Sequence, residues 1–227
     1  MIAVIQCAAK KRPGAGHLRR QDGKKVMFVA DPTIAPAVSE CVYARPDDLS
    51  DTGESWRQAL VRYNTNPANN PFGLLHAFEL YKPPAYGRLV EHLGASNVYI
   101  LSAGWGLIAA SFLTPSYDIT FNALAKREAP WKFRSNRYED LCHLPADTAE
   151  PVVFFGGKDY TPLFCELTGG IRSRRTIFYR VSALPGKASK PPEAPGCALQ
   201  GFPTRTSTNW HYECVKEFLA GKIAACP

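Results

Sequence analysis

The sequence predicts an α/β fold, a three-layer sandwich in which a central, mainly parallel β-sheet lies between helices. Two short apolar runs, 98–101 and 152–155, are each bounded by glycine and polar residues, as the buried strands of such sheets are. Segments whose apolar residues have helical spacing alternate with the predicted strands. Because neighbouring parallel strands need a crossover connection, this alternation favours a parallel sheet with helices on both faces. We expect residues 1–227 to form one domain, since the sequence shows no internal repeat and no second core.

The remaining elements follow from the same patterns. Three further strands are predicted at 3–6, 25–30 and 176–181. Helices are predicted at 55–63, 72–81, 86–93, 123–144 in two pieces divided at Pro130, from about 160 to 167, and from 208 to 220. The segments 31–55 and 182–203 contain several prolines and are predicted as irregular connections.

Composition indicates a soluble protein of the cytoplasm. The chain has 227 residues, of which 45% are hydrophobic, and its mean hydropathy is −0.20. No apolar run is long enough to span a bilayer, and the first residues place apolar side chains before charges, the reverse of a secretory signal. The seven cysteines include no C-x-x-C pair, which favours reduced thiols. We therefore expect a cytoplasmic monomer without membrane contact.

Positive charge is concentrated in two segments. The formal charge is +7 and the pI is about 9.1, which favours a polyanionic partner, nucleic acid first. Basic residues gather at 10–25 and again at 172–180. A basic, solvated surface is the alternative, but clusters of this kind favour phosphate contact. The predicted contacts to DNA phosphate are Lys11, Arg12, Arg19 and Arg20.

Several common catalytic motifs are missing from the sequence. It contains no G-x-x-x-x-G-K-[ST] phosphate loop, no G-x-S-x-G nucleophile elbow and no H-E-x-x-H metal motif. Cys142-His143, and His211 with Cys214, lack the ligand pairs that a metal site needs. We therefore predict neither a metal nor a cofactor.

Three predicted strands end in segments that suit ligand binding. These segments are Gln6 to Lys11, Ser102 to Gly106 and Gly156 to Tyr160, and Tyr117-Asp118 follows the second of them closely. A parallel sheet brings such strand ends to one edge, where open α/β sheets bind their ligands. A carboxylate, aromatic rings, small residues and lysines suit a planar base attached to a sugar phosphate. Enzymes that act on such a base take it out of the stack.

The motifs at these strand ends resemble a known family. They are Cys7-x-x-Lys10-Lys11, Glu79-Leu80-Tyr81, Tyr99-Ile100-Leu101-Ser102-Ala103-x-x-Gly106-Leu107, Pro115-x-Tyr117-Asp118-x-Thr120 and Gly157-Lys158-x-Tyr160. Through about residue 160 the chain resembles the bacterial and phage domain family DUF6884, which is similar to the peroxide-stress YaaA proteins and, more distantly, to the uracil-DNA-glycosylase-like superfamily. The sequence departs from the family pattern at Pro83-Pro84, which follows the tyrosine, and at Ser116, which is inserted in Pro-Tyr-Asp.

This resemblance implies a uracil-DNA-glycosylase-like fold and a DNA glycosylase that hydrolyses the N-glycosidic bond of a modified base and leaves an abasic site. It also suggests similarity to bacterial defence glycosylases that attack phage DNA carrying glucosylated hydroxymethylcytosine. The expected partner is therefore DNA with modified bases, from phage. A non-catalytic sensor of modified DNA and a base-exchanging RNA transglycosylase are the alternatives.

Two residues are the predicted catalytic groups. Hydrolysis of a glycosidic bond passes through an oxocarbenium-like sugar, which a fixed carboxylate can stabilise while it orients water. Asp118 is the candidate carboxylate, and the alternative is a cap or turn role for a helix beginning near Thr120. Asn122 is expected to position the water or else to cap a helix. Asp159 is the reserve carboxylate, with helix capping as its alternative role.

Nine residues are the predicted contacts to the base and its sugar. They are Cys7, Lys10, Ser102, Gly104, Trp105, Tyr117, Gly157, Lys158 and Tyr160. Trp105, which lies between two glycines, is expected to stack on a flipped base or to wedge into the duplex, and a core tryptophan is the alternative. Structural burial is likewise the alternative for both tyrosines. Further predictions place Lys187, Lys190 and Arg205 along a DNA groove and Trp210-His211 in the pocket.

Overall fold

Nearly uniform apolar strands form the centre of the protein. The computed structural model describes residues 1–184 and 189–224. Its elements, in chain order, are β1 (Ile2–Gln6), β2 (Lys25–Val29), β3 (Cys41–Ala44), α1 (Trp56–Tyr63), β4 (Leu75–His76), α2 (Ala77–Leu80), α3 (Ala85–Leu93), β5 (Val98–Ser102), β6 (Gly106–Ala109), β7 (Leu113–Thr114), β8 (Tyr117–Asp118), α4 (Ala125–Glu128), β9 (Leu141–Cys142), β10 (Val152–Phe155), α5 (Thr161–Leu167), β11 (Arg175–Ser182), β12 (Ala198–Thr204) and α6 (Trp210–Leu219). Three 3₁₀ turns accompany them, at Pro32–Ile34, Ala95–Asn97 and Pro130–Lys132.

The central sheet has seven strands in the order β12-β11-β10-β1-β5-β6-β9. Every neighbouring pair is parallel except β5 and β6, which form an antiparallel pair. β1 lies in the middle, where Val4 pairs with Tyr99 on one side and Phe154 on the other. The middle strands are buried on both faces, which explains why their sequences are continuous apolar runs. The predicted α/β class with a mainly parallel sheet is confirmed.

Helices cover both faces of this sheet. Phe154 and Phe155 are consecutive in β10 and therefore point to opposite faces. Phe154 stacks on Phe164 of α5 with ring centroids 4.6 Å apart, whereas Phe155 meets Phe218 of α6 at 5.2 Å. This arrangement agrees with a three-layer sandwich.

A small second sheet carries the Tyr117-Asp118 pair. Its order is β3-β2-β8, and both pairs of strands are parallel. Phe28 of β2 pairs with Tyr117, and Val29 pairs with Asp118. The ring of Phe28 also packs edge-on against Trp105, with centroids 4.9 Å apart. The small sheet is therefore fixed to the loop that follows β5, and the buried apolar residues of the described chain, except Val29, form one contiguous cluster.

Two of the predicted helices, α1 and α3, are confirmed, and each has a recognisable end signal in the structure. Ser55 caps α1 through a capping box, in which its hydroxyl accepts from the Gln58 amide and the Gln58 side chain accepts from the Ser55 amide. Gly94 follows α3 with a φ of +81°, a left-handed conformation that favours glycine. Within residues 1–184 and 189–224, no helix has the length and apolar character needed to cross a membrane.

Two long predicted helices are mostly wrong. Within 72–81 only Ala77–Leu80 is helical, because Gly73 takes a φ of +61° and 75–76 pairs with β7. Within 123–144 only Ala125–Glu128 and a 3₁₀ turn are helical. The rest of that second segment is held extended by a bridge between Thr120 and Phe133 and by β9. Tertiary pairing has overridden the local helical pattern in both places.

Two predicted irregular connections also contain strands. The 182–203 segment includes most of β12, which pairs with β11 from Ala198 to Thr204. Pro203 lies in this strand at the edge of the sheet, where a missing backbone donor is tolerated. The 31–55 segment contains β3, paired with β2.

Candidate functional site

A buried group of side chains lies at the carboxyl ends of β1 and β5, and we call it the tyrosine cluster. Its members are Cys7, Tyr81, Ser102, Tyr117 and Tyr160, and all five are buried. Cys7 directly follows β1, Ser102 ends β5, and Tyr117 begins β8. The predicted meeting of strand ends therefore does occur for these residues.

Ser102 organises the hydrogen bonds of the tyrosine cluster. Its hydroxyl accepts from the backbone amides of Gly104 at 3.2 Å and Trp105 at 3.1 Å. It then donates to the Tyr117 hydroxyl at 2.9 Å, and this hydroxyl lies 2.8 Å from that of Tyr81. Ser102 is therefore the donor of the first contact, and either tyrosine can be the donor of the second. The chain of hydroxyls fixes the turn after β5 to the strand that carries Asp118.

The tyrosine hydroxyls are neutral groups in the folded protein. Burial raises the pKa values of Tyr81, Tyr117 and Tyr160 well above the ordinary tyrosine range, and the nearby Cys7 raises them further. The Tyr160 hydroxyl lies 3.2 Å from the Cys7 sulfur, and its ring packs edge-on against Phe121. These hydroxyls are therefore hydrogen-bonding groups, and none of the three supplies a negative charge at neutral pH.

Asp118 stands at the rim of the tyrosine cluster, with 43% of its side chain exposed. Its carboxylate accepts from the ammonium of Lys132 at 2.6 Å. The ammonium of Lys11 lies above the Tyr117 ring, 4.1 Å from the centroid. Burial lowers the pKa of Lys11, and the charges of Cys7 and Asp118 oppose that shift. The rim thus carries one accessible carboxylate between two lysines.

Two buried arginines hold the turn that follows β5. Arg57 donates to the carbonyls of Gly104 and Trp105, each at 3.1 Å, and pairs with Asp47 at 2.6 Å. Arg134 donates to the Ala103 carbonyl at 2.9 Å and pairs with Asp140. A buried guanidinium with a carboxylate partner and carbonyl acceptors is well satisfied, so both arginines rigidify this turn.

Trp105 does not have the expected stacking role in this structure. Its side chain is 0% exposed, and it packs against Phe28 and under the Arg57 guanidinium. A ring with no exposed face cannot stack on a flipped base or enter a duplex. Gly106 next to it has a φ of +90°, and a Cβ there would lie 2.4 Å from the Leu141 carbonyl oxygen. The glycine therefore permits a tight hairpin, and Trp105 is a core residue.

The two predicted catalytic residues, Asp118 and Asn122, have side chains in different environments. No helix begins at Thr120, so Asp118 is not a helix cap; it ends a strand instead. Asn122 is exposed, and its side-chain oxygen accepts from the Leu124 amide at 3.0 Å. This bond stabilises the turn before α4, but Asn122 is not the helix cap, because the N-cap position belongs to Leu124 and carries no side-chain cap. Asp118 therefore keeps an accessible carboxylate, whereas the Asn122 oxygen is engaged in a local turn.

A second feature of the sheet edge is an open cavity, which we call the β10–β11 cleft. It has a volume of about 390 Å³, and its lining includes Gly157, Lys158, Asp159, Arg180 and Trp210. The Gly157 amide donates to the Gln6 side-chain oxygen at 2.6 Å, which joins this loop to β1. Asp159 is not the N-cap of α5, because that position belongs to Tyr160 and carries no side-chain cap. Lys158 and Asp159 are both exposed in the cleft.

The remaining predicted residues are distributed over different places. Lys10 and Arg12 are exposed, and their backbones pair with 80–82 beside the cluster. Arg19 donates to the Gly23 carbonyl and Arg20 pairs with Asp51, so the contacts of both side chains lie near β2 rather than at the cluster. His211 is buried in α6 and is not among the residues that line the cleft. Lys190 lines it, Arg205 is exposed, and Lys187 falls outside the described residues.

Several residues at this site were not predicted. Tyr81 belongs to a motif of the family resemblance, so its place in the cluster could have been predicted from the sequence. Lys132, Arg57 and Arg134 gave no such signal, because their partners are distant in sequence or lie in segments whose structure was predicted wrongly. In the part of the chain that the structure describes, no group of three or more His, Cys, Asp or Glu side chains is arranged to hold a metal ion.

Fold and site together define an α/β protein with a buried hydroxyl network, an accessible carboxylate and a basic cleft along one sheet edge. Comparisons with protein-family models, curated proteins and solved structures found no match to this chain. The family resemblance and the fold it implies therefore stay predictions.

Proposed function

We propose that the protein is a DNA glycosylase with a uracil-DNA-glycosylase-like fold, which hydrolyses the N-glycosidic bond of a modified base and leaves an abasic site. The observation that carries this proposal is the position of Asp118, an accessible carboxylate at the rim of the tyrosine cluster. Following the family resemblance, the substrate is phage DNA with glucosylated hydroxymethylcytosine, and the role is antiviral defence in the cytoplasm.

Asp118 supplies the charge that this reaction needs. As the bond between C1′ and the base nitrogen breaks, positive charge develops on the sugar, and a carboxylate close to it lowers the barrier. The base leaves with the bonding electron pair and takes a proton from solvent, and a water molecule bonds to C1′ and gives up a proton, for which the carboxylate is an acceptor. The contact with Lys132 anchors the side chain, and its exposure leaves it accessible to a sugar.

The tyrosine cluster positions the carboxylate of Asp118 and does not itself contact the base. Tyr117 is 1% exposed and its hydroxyl is already bonded to Ser102 and Tyr81, so it is not free to contact a base. It precedes Asp118 in the strand, and the cluster thereby sets where the carboxylate stands. Ser102 has the same role, since its hydroxyl is committed to the turn and to Tyr117. Lys11, at the rim, is the group able to reach a base edge or a phosphate.

The test is base release from defined DNA. The purified protein is incubated with ordinary DNA, uracil-containing DNA and phage DNA with glucosylated hydroxymethylcytosine; abasic sites are counted after alkaline cleavage and the released base is identified by mass. We expect release from the glucosylated DNA, and about a 10²-fold or larger loss in Asp118→Asn. DNA affinity of this variant should change little.

Asp159→Asn is the matched control, because it removes the other carboxylate of the sheet edge. It should retain most of the activity. Full activity in Asp118→Asn together with loss in Asp159→Asn would move the catalytic role to Asp159. Product from none of the three substrates, with tight salt-dependent binding, would contradict catalysis.

A non-catalytic sensor of modified DNA is the second candidate function. The observation in its favour is the ion pair between Asp118 and Lys132, which already neutralises the carboxylate in the free protein. A sensor would bind glucosylated DNA more tightly than ordinary DNA and would show the same preference in Lys132→Ala. A glycosylase would lose turnover in that variant, because its carboxylate would no longer be anchored.

A further inference from the structure

We propose that the β10–β11 cleft is a phosphate-binding site that holds the backbone of a nucleic-acid strand. The inference deepens the proposed function, and it rests on that function for the source of the phosphate, a DNA strand. The sequence-based expectation named Lys11, Arg12, Arg19 and Arg20 as the phosphate contacts, and it placed Lys190 along a DNA groove and Lys158 among the contacts to the base and its sugar.

The charge of the cleft favours an anion. Lys158, Arg180 and Lys190 line it together with a single acidic residue, Asp159. Within residues 1–184 and 189–224, none of these three cations forms an ion pair. Of the basic residues at 10–25, Arg20 does form an ion pair, with Asp51. Uncompensated positive charge around a cavity raises the local concentration of anions.

Arg180 is oriented for a phosphate. Its Nε donates to the Thr206 carbonyl at 2.8 Å, which fixes the plane of the guanidinium. No other hydrogen bond of this guanidinium is found among the described residues, so its terminal nitrogens remain available. A planar pair of N–H donors matches two phosphate oxygens, and Arg is favoured over Lys where such bidentate contact matters.

A buried hydroxyl in the wall has no partner. Thr161 is 1% exposed and lines the cavity, yet its Oγ1 has no hydrogen-bond partner among the described residues. Buried polar atoms are nearly always satisfied in native proteins, and an exception calls for an explanation. A phosphate oxygen in the cleft would accept from this hydroxyl. This observation is independent of the charge and points to a ligand.

The walls also suit what is attached to a phosphate. The volume of about 390 Å³ exceeds the need of a single phosphate and falls in the ordinary range for small-ligand sites. Tyr179 is partly exposed in the same space and offers aromatic surface to a sugar or an unstacked base, whereas Trp210 is 6% exposed and forms part of the wall. Lys158 is two residues from Tyr160 of the tyrosine cluster, so a strand bound here runs beside the proposed catalytic site.

The test compares two double variants with the same loss of charge. Binding of a short, ordinary single-stranded DNA oligonucleotide is measured by fluorescence anisotropy over a range of salt concentrations. Lys158→Ala/Arg180→Ala should weaken binding by about tenfold or more and lower the salt slope by about 2. The control, Arg172→Ala/Arg174→Ala, removes two exposed basic residues outside the cleft lining and should weaken binding by about twofold or less.

Two further measurements keep the result interpretable. Lys158→Ala alone changes an exposed side chain, so weaker binding by this folded variant reports on the cleft and not on unfolding. Thr161→Val replaces the hydroxyl with a methyl group of similar size and should weaken binding by about threefold while the melting temperature does not fall. Equal effects of the two double variants, or unchanged binding in the cleft variants, would overturn the proposal.

Competition identifies the source of the phosphate. An unlabelled oligonucleotide should displace the labelled one far more effectively than deoxynucleoside monophosphate or inorganic phosphate. Equal displacement by the free monophosphate would overturn the assignment to a strand. Because these measurements do not need turnover, loss of binding without any base release would leave the cleft standing and refute the glycosylase. Base release together with unchanged binding in the cleft variants would support the glycosylase and refute the phosphate-binding cleft.

Discussion

The tyrosine cluster and the β10–β11 cleft lie on the same sheet edge but are built in opposite ways. Nearly every polar atom of the cluster that the structure describes has a partner inside the protein, from Ser102 to Tyr81. In the cleft, the described contacts leave Lys158 and Lys190 without ion pairs and the Thr161 hydroxyl without a hydrogen bond. The tyrosine cluster is an internally hydrogen-bonded network, whereas the cleft presents donors that have no partner in the described residues.

This difference separates stability from binding. A buried network contributes to stability only if all its members are satisfied, so removing one member should weaken folding. Repelling cations and an unpaired buried hydroxyl contribute nothing to folding, and their presence is better explained by a ligand. Substitutions in the cluster and the arginines behind it should therefore act on the free energy of unfolding, and those in the cleft on affinity.

The largest loss of stability is expected from Arg134→Ala. The substitution leaves Asp140 as a buried, unpaired carboxylate and releases the Ala103 carbonyl. Breaking one partner of a buried ion pair costs about 3–5 kcal/mol, which urea denaturation would measure as a lower midpoint at unchanged slope. Arg62→Ala is the control, since Arg62 pairs with Glu54 at the surface, and it should cost about 1 kcal/mol or less. Similar losses of stability in both variants would contradict the role of Arg134 in holding the turn that follows β5.

The next effect in size is a pH-dependent change of stability, and it comes from the buried His211 of α6. Burial lowers the pKa of His211 to about 4 from an ordinary value of 6.5. Above pH 6.5 the side chain is neutral in both states; below it the unfolded chain binds a proton that the folded protein does not. Stability should therefore fall as the pH decreases from 6.5 to 4, by up to about 3 kcal/mol.

His211→Leu tests the origin of this acid sensitivity. Urea denaturation at a series of pH values should show a shallower loss for the variant than for the unaltered protein. His92→Leu, which changes an exposed histidine, should leave the pH profile as it was. An unchanged profile in His211→Leu would assign the acid sensitivity to other groups, such as His143, whose pKa is also lowered by burial.

A smaller effect is expected from removing one hydroxyl of the tyrosine cluster. Tyr117→Phe deprives both Ser102 and Tyr81 of a partner and should cost about 1–3 kcal/mol. Tyr179→Phe removes a hydroxyl from the cleft, for which the described residues show no hydrogen bond, and should be neutral within about 0.5 kcal/mol. If Tyr117→Phe also released base at the normal rate, the cluster would not position Asp118.

How much of the fold the sequence could predict depended on whether the signal was local. The strands at 98–102 and 152–155 and the capped helix at 56–63 carry their own patterns, and these predictions were confirmed. β12 contains a proline and forms because β11 pairs with it. The local sequence of β12 gives no signal of this pairing. The 123–144 segment has helical spacing, but a bridge to Thr120 and the ion pair of Arg134 hold it in another shape.

The site was predictable to a similar limit. Strand ends and a parallel sheet placed Cys7, Ser102 and Tyr117 together, because that inference needs only the topology. Trp105 was misjudged, since glycines on both sides suggest exposure, whereas here they permit a tight turn around a buried ring. The partner of Asp118, Lys132, could not be found, because it depends on the path of a segment whose shape was predicted wrongly.

The smallest expected effect on stability is that of Lys158→Ala, and it is the sharpest test of the comparison. Lys158 is exposed and, among the described residues, forms no ion pair, so its removal takes away repulsion with Arg180 and Lys190, offset in part by the loss of its attraction to the exposed Asp159. The free energy of unfolding should stay the same or rise by up to about 0.5 kcal/mol at low salt, and the gain should vanish at high salt because ions screen the repulsion. Urea denaturation at the two salt concentrations measures this. A loss of about 1 kcal/mol or more would show that Lys158 supports the fold, and the cleft would then be a structural feature like the tyrosine cluster.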